Sequence, residues 1–180
     1  NPCAEEPLPA GGSCLLGSIN LSAFVENPFT ENAYFDFEEF KHCVQESVRA
    51  LNEVLEEGLP LHPLPEQRES VSQWRQIGLG IMGLADALIK LGLTYGEEDA
   101  VSVCDRIGFV MADTAIAASA RLAKELGAFP KCKVEEIMET PYFLANTTEG
   151  TKELVRKYGL RNSQLLTIAP TGTLSTMLGL

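Results

Sequence analysis

The sequence is short of basic residues, of histidine and of aromatic rings, and it contains no long apolar run. Lys and Arg number 14 against 25 Asp and Glu, a formal net charge of −11. So acidic a chain offers no broad footprint for a phosphate backbone, which excludes a nucleic-acid polymer as partner. No stretch reaches the roughly 18 consecutive apolar residues of a membrane span, so no transmembrane helix and no membrane partner are expected. Cysteine is present but unpatterned: Cys3, Cys14, Cys43, Cys104 and Cys132 are odd in number and include no CxxC pair. That excludes a disulfide scaffold and a zinc ribbon and points to the reducing cytoplasm. The histidines His42 and His62, even with Cys43, fit no zinc spacing, so no metal site is predicted. Neither an initiator methionine nor a signal peptide precedes Asn1, from which we expect the chain to start inside a longer protein.

What is there is ordinary globular material. The 180 residues are 45% apolar and 22% charged, and a chain of this length can bury about two-thirds of the surface it exposes unfolded. Residues 1–25 carry Pro2, Pro7 and Pro9 and then the apolar stretch from Cys14 to Leu21, which reads as a loop leading into a short strand. Residues 36–126 read as three long amphipathic helices. The first has the stripe Phe37, Phe40, Val44, Val48, Leu51, Leu55. The second has Trp74, Ile77, Ile81, Leu84, Leu88, Leu91 and stops at Gly92. The third runs from Val101 to Leu126, with Gly127 as its C′ residue. Alanines at 112, 115, 117, 118 and 120 make the third helix thin enough for close packing. Residues 127–162 read as a loop with short helices at Val134–Met138 and Thr151–Tyr158. Residues 163–180 read as a buried strand, Gln164 to Ala169, followed by a hydroxyl-rich turn and the start of a helix. The fragment is thus expected to be predominantly α-helical with a few short strands.

Three segments could carry chemistry. Gly78-Leu-Gly80-Ile-Met-Gly83 is a literal GxGxxG, whose mechanism demands a strand ending where the backbone turns toward a pyrophosphate. The preceding Glu69–Gln76 is polar and helical in period, so these glycines read better as places where a neighbouring backbone comes close. In Asn1-Pro2-Cys3-Ala4-Glu5, an extended chain would put Asn1, Cys3 and Glu5 on one face. A carboxylate beside a thiol raises the thiol's pKa, which suits a neutral or radical sulfur, with the carboxylate accepting a proton from a bound hydroxyl. A purely structural loop is the other reading. Finally, a strand ending in Pro170-Thr-Gly-Thr at a helix start would present N–H groups and hydroxyls to an anion, or would simply cap a helix.

Taken together, Asn-Pro-Cys-Ala-Glu, Pro7-Leu8-Pro9, Gly12-Ser-Cys14-Leu-Leu-Gly-Ser-Ile-Asn20-Leu, Arg75 to Asp86 and Ala169-Pro-Thr-Gly-Thr-Leu-Ser175 resemble, in order, the large catalytic chain of ribonucleotide reductases. The resemblance is closest to the adenosylcobalamin-dependent class. It implies an α/β fold, part of a ten-stranded α/β barrel with a finger loop through its centre. It implies that Cys3 becomes a thiyl radical that removes the ribose 3′ hydrogen, that Glu5 takes the 3′-hydroxyl proton and that Asn1 hydrogen-bonds the sugar hydroxyls. By the same resemblance Cys14 is one of two cysteines that end as a redox disulfide, its partner lying outside this chain, and Pro170, Thr171, Gly172, Thr173, Leu174 and Ser175 hold the substrate phosphates. The implied partners are a ribonucleotide and a thioredoxin-like or dithiol reductant, and the implied cofactor is adenosylcobalamin, with a metal-containing partner subunit as the alternative radical source. A partial barrel is expected to lack turnover alone, and its unpaired strand edges would favour self-association into a homo-oligomer.

Two other readings compete. One is a helical interaction module, favoured if Asn1, Cys3 and Glu5 are scattered and disordered and the Pro170 turn lies far from them. The other is an NAD-dependent dehydrogenase, which requires a strand ending at Gly78.

Overall fold

Two helices supply most of the core, and the reason is visible in their sequences. The computed structural model describes residues 3–180. Helix α1 (Phe37–Gly58) starts where the Asp36 carboxylate accepts the backbone N–H groups of Glu38 and Glu39, each at 3.0 Å. Its buried residues Phe40, Val44, Val48 and Leu55 fall on one face. Helix α4 (Glu98–Leu126) begins with Glu98 and Asp99, where carboxylates favour the helix dipole, and ends at Gly127. The expected alanine face is real. Ala112, Ala115, Ala117, Ala118 and Ala120 are all buried, and α4 packs on α1 with one side and on α7 (Glu149–Tyr158) with another. Small side chains permit that double contact. Phe24, Phe35, Phe37 and Phe40 close one end of the core in tilted and edge-on ring pairs.

The expected second long helix does not exist. Its span is divided among α2 (Pro65–Trp74), the strand β4 (Gly78–Met82) and α3 (Leu84–Lys90). The break occurs at Arg75, which adopts the left-handed conformation (φ 50°) and ends α2. Strand β4 pairs in parallel with β1 (Leu16–Asn20), in a register that sets Leu16 opposite Gly78 and Asn20 opposite Met82. A parallel pair needs a crossover connection, and α1 with α2 provides it. Strands β2 (Val25–Glu26) and β3 (Tyr34–Phe35) form a separate antiparallel pair.

The expected strand at 164–169 is reduced to a single bridge between Leu166 and Leu79. The segment nevertheless runs along the free edge of β4, for Ile77 and Leu79 donate to the carbonyls of Gln164 and Leu165, and Thr167 donates back to Leu79. Ladder bonding stops there because Ile168 has already turned into solvent, 71% exposed. The short helix α5 (Val134–Met138) lies as expected, and α6 (Pro141–Ala145) is an additional one, capped by Thr140 with proline at its first turn. Helix α8 (Gly172–Leu178) closes the described chain. Among the described residues no closed barrel is formed, as expected of a part of one.

A buried polar cluster ties these layers together. The Asn162 side chain donates to Asn52 Oδ1 and to the carbonyl of Arg75, both at 2.9 Å, and accepts from Asn52 Nδ2 at 3.1 Å and Ser119 Oγ at 3.0 Å. Asn52 comes from α1, Ser119 from α4 and Arg75 from the end of α2, so one amide pins three elements. Nearby, Glu56 bridges the guanidinium groups of Arg75 and Arg161.

Candidate active site

The amino-terminal loop is held from the opposite end of the chain. Thr167 Oγ1 donates to the Glu5 carbonyl at 2.5 Å, and the Gln164 side-chain amide donates to the Pro7 carbonyl. Pro170 follows Thr167 by three residues, which at full extension span at most about 11 Å. The loop and the hydroxyl-rich turn are therefore neighbours, against one of the two conditions that favour a helical interaction module.

Within the loop, the expected sharing of one face does not hold. Asn1 lies outside the described residues. Between Cys3 and Glu5, Ala4 takes φ 53°, a left-handed kink that breaks the two-residue alternation. Cys3 is exposed, Glu5 is half-buried and Glu6 is fully buried. The thiol set against carboxylates is Cys14, just before β1: its Sγ lies 3.2 Å from Glu6 Oε2 and 3.7 Å from Glu5 Oε1. Burial, the hydrogen bond to Glu6 and the charges of Glu6 and Glu5 together push the Cys14 thiol up to about 12. It is a protonated thiol at neutral pH. The folded state's hold on this proton contributes stability below the ordinary thiol value of 9.0 and loses it as pH climbs toward about 12. Burial also raises Glu6 above the usual carboxylate range, with the charge of Glu5 acting in the same sense and the Cys14 hydrogen bond opposing it.

The glycines of the GxGxxG segment have a packing role. A Cβ at Gly78 would come within 2.6 Å of the Thr167 methyl, 2.7 Å of Leu16 Cδ2 and 3.0 Å of Glu6 Oε2, and one at Gly80 would run into the Thr167 carbonyl oxygen. The strand that a dinucleotide fold needs to end at Gly78 begins there instead, which corrects the dehydrogenase reading. The two glycines let residues 164–168 and the Glu6 carboxylate close on β4.

At the carboxyl end, Thr171 (φ 52°) heads α8 with no side-chain cap, and Pro170, Gly172, Thr173 and Leu174 are exposed. Ser175 Oγ donates to the Gly172 carbonyl at 3.0 Å, so its hydroxyl is engaged within the helix.

Among the described residues no three His, Cys, Asp or Glu side chains gather as a metal set. One cleft, about 400 Å³, is walled mainly by apolar groups including Leu21, Leu79, Ile107, Met111 and Ile168. These residues do not fit a cobalamin, which needs a cobalt ligand or polar partners for its amide rim. No helix is long and apolar enough to cross a membrane among the described residues.

Sequence reasoning missed Glu6, Gln164 and Thr167. The signals were a carboxylate between Glu5 and a proline, and a threonine inside an apolar run.

The family model for the barrel domain of ribonucleotide reductase matches residues 1–180. The chain is 35% identical over 179 residues to the vitamin B12-dependent ribonucleoside-diphosphate reductase of Mycobacterium tuberculosis, a match covering 99% of this chain and 22% of that protein. It is 33% identical to the ribonucleoside-diphosphate reductase subunit alpha of Chlamydia pneumoniae, over 92% of this chain and 17% of that one. In three dimensions it is similar to the class Id ribonucleotide reductase alpha subunit of Actinobacillus ureae, with a TM-score of 0.66, 22% identity, and coverage of 92% of this chain and 26% of that one. The chain thus spans about a fifth of the length of the curated relatives it matches.

Proposed function

The chain belongs to the ribonucleotide reductase family, as part of its barrel domain, and from that premise we propose that it carries the hydrogen-abstracting loop, one redox cysteine and the phosphate turn of an oxidoreductase converting ribonucleotides to 2′-deoxyribonucleotides. The substrate is a ribonucleoside diphosphate, the form named for the relatives. The observation that carries the reading is the junction of Glu5 with Thr167, which brings the Cys3 loop and the Pro170 turn into one neighbourhood.

Each step is what membership of the family implies for these residues. Cys3, as a sulfur radical, takes the C3′ hydrogen atom and becomes a thiol, leaving a carbon radical. Sulfur suits this because S–H and activated ribose C–H bonds are close in strength, so the step reverses easily. Glu5 takes the 3′-hydroxyl proton, while Asn1 hydrogen-bonds the sugar hydroxyls. The 2′-hydroxyl leaves as water with a proton from a protein thiol. Cys14 and a second cysteine outside this chain supply two protons and two electrons in all, one proton going to that water and the other, with the two electrons, making the new C2′–H bond, and they become a disulfide while Glu5 returns its proton to the 3′ oxygen. Cys3 then returns its hydrogen to C3′, and a thioredoxin-like or dithiol reductant restores the pair. A protonated Cys14 matches this role, since it must deliver hydrogen rather than attack as a thiolate. Residues 170–175 hold the phosphates through backbone N–H groups and the free hydroxyls of Thr171 and Thr173.

The radical generator is adenosylcobalamin bound elsewhere in the parent protein, in line with the vitamin B12-dependent relatives. A metal-containing partner subunit is the second reading, favoured by the 33% identity to a protein named as an alpha subunit.

Two measurements test the proposal. In competition, the protein that contains this chain should convert ribonucleotide deuterated at C3′ more slowly than the protium form; equal rates would remove Cys3 from hydrogen abstraction. The chain alone, given adenosylcobalamin, nucleotide and dithiol, should form no deoxyribonucleotide, and product would show that the rest of the barrel is dispensable.

A further inference from the structure

We propose that Glu6 is a positioning residue for the Cys14 thiol, seated in the space that Gly78 leaves open and controlling when that sulfur gives up its proton. The inference rests on the reading of Cys14 as a redox cysteine, but its geometry stands independently. Glu6 is 1% exposed although its neighbours Ala4 and Pro7 are exposed. Burying a carboxylate is costly unless the site gives it partners. One such partner is the Cys14 thiol, which donates to Oε2 at 3.2 Å. The seat is built by strand β4: any side chain at Gly78 would press on Glu6 Oε2, on the Thr167 methyl and on Leu16 Cδ2. The same residue that admits Thr167 to the sheet edge therefore admits the carboxylate to the thiol.

Glu5 does less. It lies farther from the sulfur, at 3.7 Å, and is only half-buried. The charged side chains acting on Cys14 are Glu6 and Glu5 from its own loop. Gly78, Leu16 and Thr167, which pack against the carboxylate from the strands, carry no charge. Removing the Glu6 charge therefore takes away its share of the rise at Cys14, while burial, the larger cause, stays.

The test is the pH dependence of alkylation, cysteine by cysteine, on the full chain with iodoacetamide and peptide mass mapping. It needs neither nucleotide nor turnover, so it can fail while the reductase reading survives, and the reverse. In E6Q, Cys14 should alkylate about tenfold faster than in the unaltered chain at the same pH, the effect of a thiol pKa about one unit lower. In E5Q the gain should be smaller. Cys132, half-buried and remote in sequence, reports on the fold and should keep its rate in both variants. An unchanged Cys14 rate in E6Q, an equal or larger gain in E5Q, or a joint acceleration of Cys14 and Cys132 would each overturn the proposal.

Discussion

Serine in place of Cys3 should abolish deoxyribonucleotide formation by the protein that carries this chain. A loss of at least roughly 10⁴-fold is expected, the scale seen when the group that bonds to substrate is removed from an active site. The reason is bond strength. A serine O–H is too strong a bond for a generator tuned to sulfur, so no radical forms where the ribose waits. Binding should survive, because Cys3 is exposed and its side chain supports no buried packing. The measurement is product per enzyme over time in parallel with nucleotide affinity. Turnover within about tenfold of the unaltered protein, a barrier change of only about 1.4 kcal/mol, would remove Cys3 from the chemistry.

Alanine at Asn162 should destabilise the fold by about 3–5 kcal/mol. The substitution strands the Asn52 amide and the Arg75 carbonyl and takes the acceptor from the Ser119 hydroxyl, which still accepts from the backbone N–H groups of Arg161 and residue 162, in a site where Asn162 and Ser119 are fully buried. Each buried group left without its partner costs about 1–3 kcal/mol. Asn52 retains its bond to the Val48 carbonyl at 2.9 Å, which keeps the total below the sum of three such losses. Against a domain stability of about 5–15 kcal/mol the effect is large. Denaturant unfolding gives the value, and a change under about 1 kcal/mol would mean that the cluster is redundant. With Asn52→Ala added, the double variant should lose less than the sum of the singles, since both remove the same pair of bonds.

These two residues also mark how far the sequence could be read. Helices α1 and α4 were legible because long apolar stripes at steps of three and four leave no other consistent burial. The span from Trp74 to Leu91 met the same template and still broke. Strand β4 is covered on both sides, so its apolar residues show no alternation to set against a helical period. Gly78 and Gly80, poor helix formers, were the contrary signal. Asn162 gave no warning, since a lone asparagine between Arg161 and Ser163 reads as a turn. In the candidate site, the residue types were legible through their resemblance to a known motif, but their arrangement was not. Alternation assumes extended backbone, and Ala4 is left-handed. The pairing of Cys14 with Glu6 depends on room provided by a glycine 72 positions downstream of the glutamate, which no local pattern encodes.

The bond from Thr167 to Glu5 joins residues 162 positions apart. A ribosome adding about 5–20 residues per second needs on the order of ten to thirty seconds to cross that interval. Throughout it the reactive loop has emerged while its anchor has not yet been made. Nascent chains therefore pass through a stage in which α1 can nucleate but Cys14 is not yet seated, so an oxidant reaches that sulfur more readily during synthesis than in the finished protein.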